Sequence, residues 1–265
     1  KFWFFMTKNE KSKKGRTAKR ITIGALLLCS LGTGVTSLAK YIKEYNGSDK
    51  TANIAQLGIT VTPSEGNVFK KSYTDSGNTI LGYKTGVSSP SELVGPGASG
   101  TTPTFTVVDS DDRNVPVQIT SYLRITYSSN FKFLKDVSAN DDYYTPIRII
   151  DDTSASTVLD APFFDSDNNV IGINKYLKDN SVSNVICEED NGKCTVEIKG
   201  SSTTYDLETP CNITDGFGYL WEWVFELSDN EDQKNSANEA DTKLCTSAGA
   251  TIEITSLLVV EQVIA

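Results

Sequence analysis

AKYIKEYNGSDKTANIAQLGITVT, residues 39–62, divides the sequence into two unlike parts. From Leu57 onward apolar residues alternate with small or polar ones (Leu57, Ile59, Val61), the two-residue period of a half-buried strand. Just upstream, Tyr41, Ile42 and Tyr45 stand among Lys40, Lys43, Glu44, Asn46, Gly47 and Ser48. That mixture is too polar for a core and too apolar for a solvated tail. Such a segment suits docking as a strand, on its own sheet or on a neighbour's; a short flexible leader is the plainer alternative.

Beyond this stretch the sequence reads as strands separated by turn residues. TFTVVDS (residues 104–110) and NVPVQITSYLRITYS (residues 114–128) are two clear strands with a turn between them. Leu123, Ile125 and Tyr127 alternate with Arg124 and Thr126, which puts one face in a core and the other in water. VFKKSY, FKFLKDV and TPIRIID add further strands, and GNTILGYKTG a short strand or loop. Residues 86–104, rich in Gly, Pro, Ser and Thr, are expected to be loop. VIGINKYLKDNSVSNVI carries Ile173, Leu177, Val182, Val185 and Ile186 at helical spacing and is read as one short helix. The expectation is an all-β sandwich or barrel with a short helix or two and an extended N-terminal segment.

Upstream, residues 1–39 have the three parts of a secretory signal. These are a basic start (Lys8, Lys11, Lys13, Lys14, Arg16, Lys19, Arg20), an apolar middle from Ile21 to Leu31, and a small-residue exit at Ser37-Leu38-Ala39. The apolar run falls short of the ~20 residues of a permanent membrane span, so cleavage between Ala39 and Lys40 is expected. Cys29 follows Leu28, where a lipoprotein signal would want a small residue, and is read as part of the signal. Met6 is the one methionine, and residues 1–5 are read as upstream of the start. The resulting division is signal 1–39, N-terminal segment 40–56 and β-sandwich 57–265, with the mature chain secreted to the extracellular space or cell surface.

Charge follows the same boundary. Residues 1–39 carry eight Lys or Arg against Glu10, so the whole-chain net of −9 leaves −16 for residues 40–265. A chain this acidic is a poor nucleic-acid ligand, since phosphate attraction supplies most of that affinity. Histidine is absent altogether. That removes the general base of Ser-His-Asp and Cys-His catalysis, the HExxH zinc helix and His-rich metal sites. Carboxylate-pair chemistry survives that test, but the abundant Asp and Glu are read as a solvated acidic surface, so no catalytic residue, no cofactor and no enzyme activity are expected. The donor set left would suit only a structural calcium ion. DSDNN at 165–169 starts like a calcium loop but has Val170 and Tyr176 where glycine and an acid are needed, so it is read as a turn. The acidic run Asp229–Asp241 is read as a solvated loop, and Trp221 and Trp223 as packing residues.

VICEEDNGKCTVEIKG is the clearest hairpin, with Asn191-Gly192 supplying the positive φ angles of a tight turn. Cys187 and Cys194 bracket it, and Cys211 and Cys245 remain. In an exported chain four cysteines allow two disulfides in three connectivities. The hairpin favours Cys187–Cys194, which leaves Cys211–Cys245 as a longer staple.

Four blocks together resemble a known family. They are YLWEWVFELSDNEDQKNSANEADTKLCTSAGATIEITSLLVVEQV at the C-terminus, the 39–62 junction, LVGPGASG before a strand, and YTPIRI at Tyr144–Ile149. This order is similar to that of secreted fibre proteins of the TasA and camelysin type, exported through SipW-type signal peptidases in Gram-positive bacteria. Cys245 departs from the pattern, standing where a glycine is expected. The resemblance implies a jelly-roll-like β-sandwich that polymerises head-to-tail into extracellular, biofilm-matrix or cell-surface filaments. In them the N-terminal segment of one subunit adds as a strand to the next, a form of β-augmentation. Tyr41, Ile42, Lys43 and Tyr45 are the residues it points to in this sequence. Tyr41, Lys43 and Tyr45 form one alternating set and Ile42, Glu44 and Asn46 the other; the first buries two aromatics and is expected to face the acceptor. The implied partner is another copy of the chain, alongside matrix or cell-wall components, with neither nucleic acid nor a permanent membrane span. A monomeric surface adhesin or coat protein is the alternative, and a camelysin-like protease a more distant one.

Overall fold

VQITSYLRITY puts a β-branched, aromatic or leucine side chain at almost every second position, and the chain extends it as β8 (Val117–Tyr127), the centre of the largest sheet. The computed structural model describes residues 42–46, 52–54, 57–64, 68–69, 72–75, 78–82, 93–109, 113–136, 140–152, 154–224 and 229–263, within the unit Lys40–Ala265. Residues 1–39, and with them the expected signal, lie outside the described residues. Among the described residues the fold is all-β and sandwich-like, with two α-helices.

In the large sheet β8 is flanked by β16 (Lys193–Tyr205) and β19 (Ile252–Gln262), with β15 (Val185–Asp190) and β1 (Ile42–Asn46) at the edges. All four pairings are antiparallel. The register sets Val196 and Ile254 on either side of Ile125, and Ile198 beside Leu123, so one face is largely apolar, interrupted by Ser121 and Ser256. The opposite face carries Arg124 across from Glu197, 2.5 Å apart, and Thr126 across from Thr195. This is the one-face-in, one-face-out pattern of an antiparallel sheet.

Two smaller sheets cover the apolar face. One has the order β12 (Thr157–Leu159), β11 (Ile147–Asp151), β18 (Tyr219–Trp223), β6 (Ser99–Thr101). It packs Ile147, Ile149, Tyr219, Trp221 and Trp223 against Leu123, Ile125, Tyr127, Val196 and Ile198. The other has the order β17 (Ile213–Gly216), β7 (Phe105–Asp109), β3 (Ile59–Pro63), β2 (Ala52–Ile54). It packs Ile59, Val61, Phe105 and Val107 against Val117, Ile119, Leu258 and Val260. The long sheet thus carries two separate cores end to end. Ser121 lies at the joint, its Oγ 2.9 Å from the Tyr219 hydroxyl. β16 bulges there between Lys199 and Ser202, and Gly200 leaves the space that the Tyr219 hydroxyl fills. Three two-stranded ribbons complete the strands: β4 (Ser72–Asp75) with β5 (Asn78–Gly82), β9 (Lys132–Lys135) with β10 (Asp141–Tyr143), and β13 (Phe163–Phe164) with β14 (Val170–Ile171).

Four elements differ from the sequence expectation; one is the strand expected at VFKKSY (residues 68–73), where Val68 and Phe69 lie in a bend and β4 begins at Ser72. Residues 99–101, expected within a loop, form β6, because Gly100 lets the chain lie against the Trp221 ring, where any Cβ would collide. The expected helix around 170–186 is confined to α1 (Ile173–Asn180); Val185 and Ile186 belong to β15. Ser181, at φ 51°, ends the helix. The buried carboxylate of Asp142 accepts the N–H groups of Asn174 (3.2 Å) and Lys175 (2.9 Å) at the start of α1. Capping therefore comes from a distant strand, and Gly172 is required because a Cβ there would strike that carboxylate. The acidic run expected as a solvated loop is α2 (Glu231–Cys245). Asn230 caps it by accepting from the N–H groups of Asp232 and Gln233, and Ala237, Ala240 and Leu244 line its inner face. The turn at Asp165–Asn169 is present: Asp165 Oδ1 accepts from the Asp167 and Asn169 N–H groups, joining β13 to β14.

Candidate assembly strand and cysteines

β19 is the strand on which the candidate site is built. Its core-facing Leu258 and Val260 are completely buried over the smaller of the two cores. β8 pairs with one side of β19 along its full length. On the other side β1 pairs antiparallel over five residues: Ile42 with Glu261, Lys43 with Val260, Glu44 with Val259, Tyr45 with Leu258, and Asn46 with Leu257. Positions 43 and 45 therefore share the register of the core-facing residues, and positions 42, 44 and 46 that of the outer face. Without β1, the outer N–H and C=O groups of Leu257–Glu261 would form part of a free sheet edge. Residues 47–51 join β1 to β2, which belongs to a different sheet. Of the residues singled out from the sequence, Ile42, Lys43 and Tyr45 fall in β1. Ala39, Lys40 and Tyr41 lie outside the described residues.

The cysteines divide. Cys187 and Cys194 form a disulfide across the β15–β16 hairpin, Cα–Cα 6.3 Å, with Asn191 (φ 53°) and Gly192 (φ 75°) at its turn. The expected Cys211–Cys245 bond is not formed. Cys211 is buried in the smaller core, whereas Cys245 is an exposed residue at the end of α2, which packs on the larger one. The two-core layout, which the sequence does not announce, is what separates them. Burial pushes the Cys211 thiol up to about 11.

Trp221 and Trp223 are core residues: the Trp221 indole donates to the Val68 carbonyl (3.0 Å), and its ring lies 5.4 Å from that of Phe69. Two buried polar assemblies carry no obvious sequence signal. At the edge of the smaller core, Arg113 donates through Nε to both carboxylate oxygens of Asp109 (2.8 and 2.9 Å). Its other nitrogens donate to the Asp206 (2.7 Å) and Thr209 (2.8 Å) carbonyls. This clamps the β16–β17 loop to β7. Beside the larger core, Asp241 of α2 accepts from the Tyr144 hydroxyl (2.6 Å) and the Trp223 indole (3.0 Å). Its burial raises its pKa, against the opposing pull of those two donors. A cavity of about 260 Å³ lies alongside, its wall part apolar (Phe69, Phe131, Trp223, Leu244) and part polar (Cys245, Ser247, Thr251).

Among the described residues no three His, Cys, Asp or Glu side chains are grouped to hold a metal ion, and no helix is long and apolar enough to cross a membrane. No family model, no curated protein and no solved structure matches the chain.

Proposed function

We propose that the chain is a structural subunit of an extracellular filament, built head-to-tail as the N-terminal strand of one copy pairs with β19 of the next. The observation that carries this reading is the place of Ile42–Asn46: a short edge strand, hydrogen-bonded in register to β19 and tied to the rest by residues 47–51. A neighbour's copy of the same five residues would meet the same register, so exchange preserves every pairing while linking two bodies. Donor and acceptor surfaces differ, and the contact repeats instead of closing. The alternating set containing Lys43 and Tyr45 occupies the register of Val260 and Leu258, and Tyr41 continues that set.

Electron microscopy of purified mature protein, beginning at Lys40, tests this. Filaments are expected from the intact chain and none from protein lacking residues 40–50. The Tyr41→Asp, Tyr45→Asp double variant should remain folded yet fail to elongate. Normal filaments from either altered protein would place the donor elsewhere. A monomeric intact chain at high concentration would favour a surface adhesin or coat protein.

A further inference from the structure

β1 covers only part of the outer edge of β19. The strand has eleven residues, and β1 pairs with five of them, Leu257–Glu261. Among the described residues no strand pairs with the outer side of Ile252–Ser256. This free stretch runs to the cavity, whose wall includes Thr251 and Ile252 together with Leu93, Cys245 and Gly249. Leu93 and Cys245 are exposed there. Ser256, the first position beyond β1, is buried, and its Oγ has no hydrogen-bond partner among the described residues.

The polarity of the pairing decides what can cover this stretch. β1 is antiparallel to β19, so a chain that leaves Asn46 opposite Leu257 heads towards Ile252 and the cavity. Residues 47–51 then separate β1 from β2, which is fixed to β3 of its own body. These residues number five, as do the free positions, and five extended residues cover about 17 Å, the length of five strand positions. Continued in register, Gly47 meets Ser256, Ser48 meets Thr255, and Lys50 meets the exposed Glu253. Gly47 adds no side chain beside the unpartnered hydroxyl. Lys50 and Glu253 place opposite charges directly across from each other on the outer face. The inner positions carry Gly47, Asp49 and Thr51, none of them large and apolar, so this part supplies pairing and no added core. Ala52, where β2 of the incoming subunit begins, arrives opposite Thr251 at the cavity.

We propose that the acceptor in the filament extends beyond the seat of β1: residues 47–51 of the neighbour continue along Ile252–Ser256, and the neighbour's β2 edge covers the cavity rim beside Cys245. This rests on the filament reading and adds which face of the acceptor the next body covers. Within one molecule the described pairing stops at Asn46, and β2 joins a different sheet. Exchange therefore gains pairing that the closed subunit lacks, which favours the bond between molecules over the one within.

Two measurements on the full mature protein test this. The first is thiol labelling, which needs no substitution. Cys245 should react quickly in the unassembled protein, and that rapid reaction should be lost in filaments. The second is charge exchange. Glu253→Lys or Lys50→Glu alone puts like charges opposite each other and should raise the concentration needed for filament growth by about two- to tenfold. The double variant, with the charges exchanged, should return it to the wild-type value. Circular dichroism of the unassembled variants checks that each is folded. Filaments that require residues 40–50 but whose Cys245 still reacts quickly, or a double variant no better than the single ones, overturn this proposal and leave strand exchange standing. An intact chain that forms no filaments overturns both.

Discussion

Replacing Arg113 by alanine probes the joint that ties the smaller core together. The guanidinium side chain is only 4 % exposed, its Asp109 partner 16 %, and three of its nitrogens reach a carboxylate and two carbonyls. Removing one member of a buried ion pair leaves the other as an uncompensated charge, which costs about 3–5 kcal/mol. Asp109 would keep the Cys211 N–H (3.1 Å) as an acceptor contact, which places the expected loss near the lower end, about 3 kcal/mol. For a chain of this size that lowers Tm by roughly 6–12 °C. Arg113→Lys keeps the charge but not the fork and should lose about half as much. Urea denaturation followed by circular dichroism gives the free energies. A double-mutant cycle with Asp109→Ala should show a coupling of about 1–3 kcal/mol. A loss below about 1 kcal/mol for Arg113→Ala, or strictly additive single and double variants, would refute the claim that the clamp organises this core.

Asp142→Ala should cost about 2 kcal/mol, because the Asn174 and Lys175 N–H groups lose their acceptor. Gly172→Ala should destabilise as well, because a Cβ there would strike the Asp142 carboxylate, and a stabilised Gly172→Ala protein would count against the close approach. In native mature protein, a thiol reagent should label one cysteine per molecule quickly, Cys245, and a second, Cys211, only after denaturation. Two rapid equivalents, or none, would reverse that assignment. Replacing Cys187 and Cys194 together by serine should cost about 2–3 kcal/mol, the loop-closure value for so short a loop, as read by denaturant midpoint. No change in midpoint would show that the hairpin is set by its turn alone.

The strands of the large sheet were legible because their signals are local. Leu123, Ile125 and Tyr127 alternate plainly, and Asn191-Gly192 marks its turn without help from the rest of the chain. α2 was hidden because its narrow buried stripe leaves twelve of fifteen positions polar or exposed. Its decisive inner residue, Asp241, looks like one more acid in an acidic run. α1 is shorter than its apolar spacing suggests, because Val185 and Ile186 continue the helical spacing while belonging to the next strand. The disulfide across the hairpin followed from nearby spacing. The separation of Cys211 from Cys245 depends on the long sheet carrying two cores, a tertiary fact. Arg113 and Asp109 are four apart in sequence, yet their meaning lies in carbonyls over ninety positions away.

The most direct test of assembly by strand exchange is a cross-link between β1 and β19. Glu44 and Val259 are directly opposite in the register and on the outer face, at a spacing a disulfide can span. In a protein with Cys211 and Cys245 replaced by serine, Glu44→Cys and Val259→Cys should form a bond within one molecule when oxidised before assembly, and this protein should not polymerise. Oxidised after filaments have formed, the same protein should run as a covalent ladder of dimers, trimers and longer species on a non-reducing gel. Monomer alone from oxidised filaments would contradict strand exchange through β19.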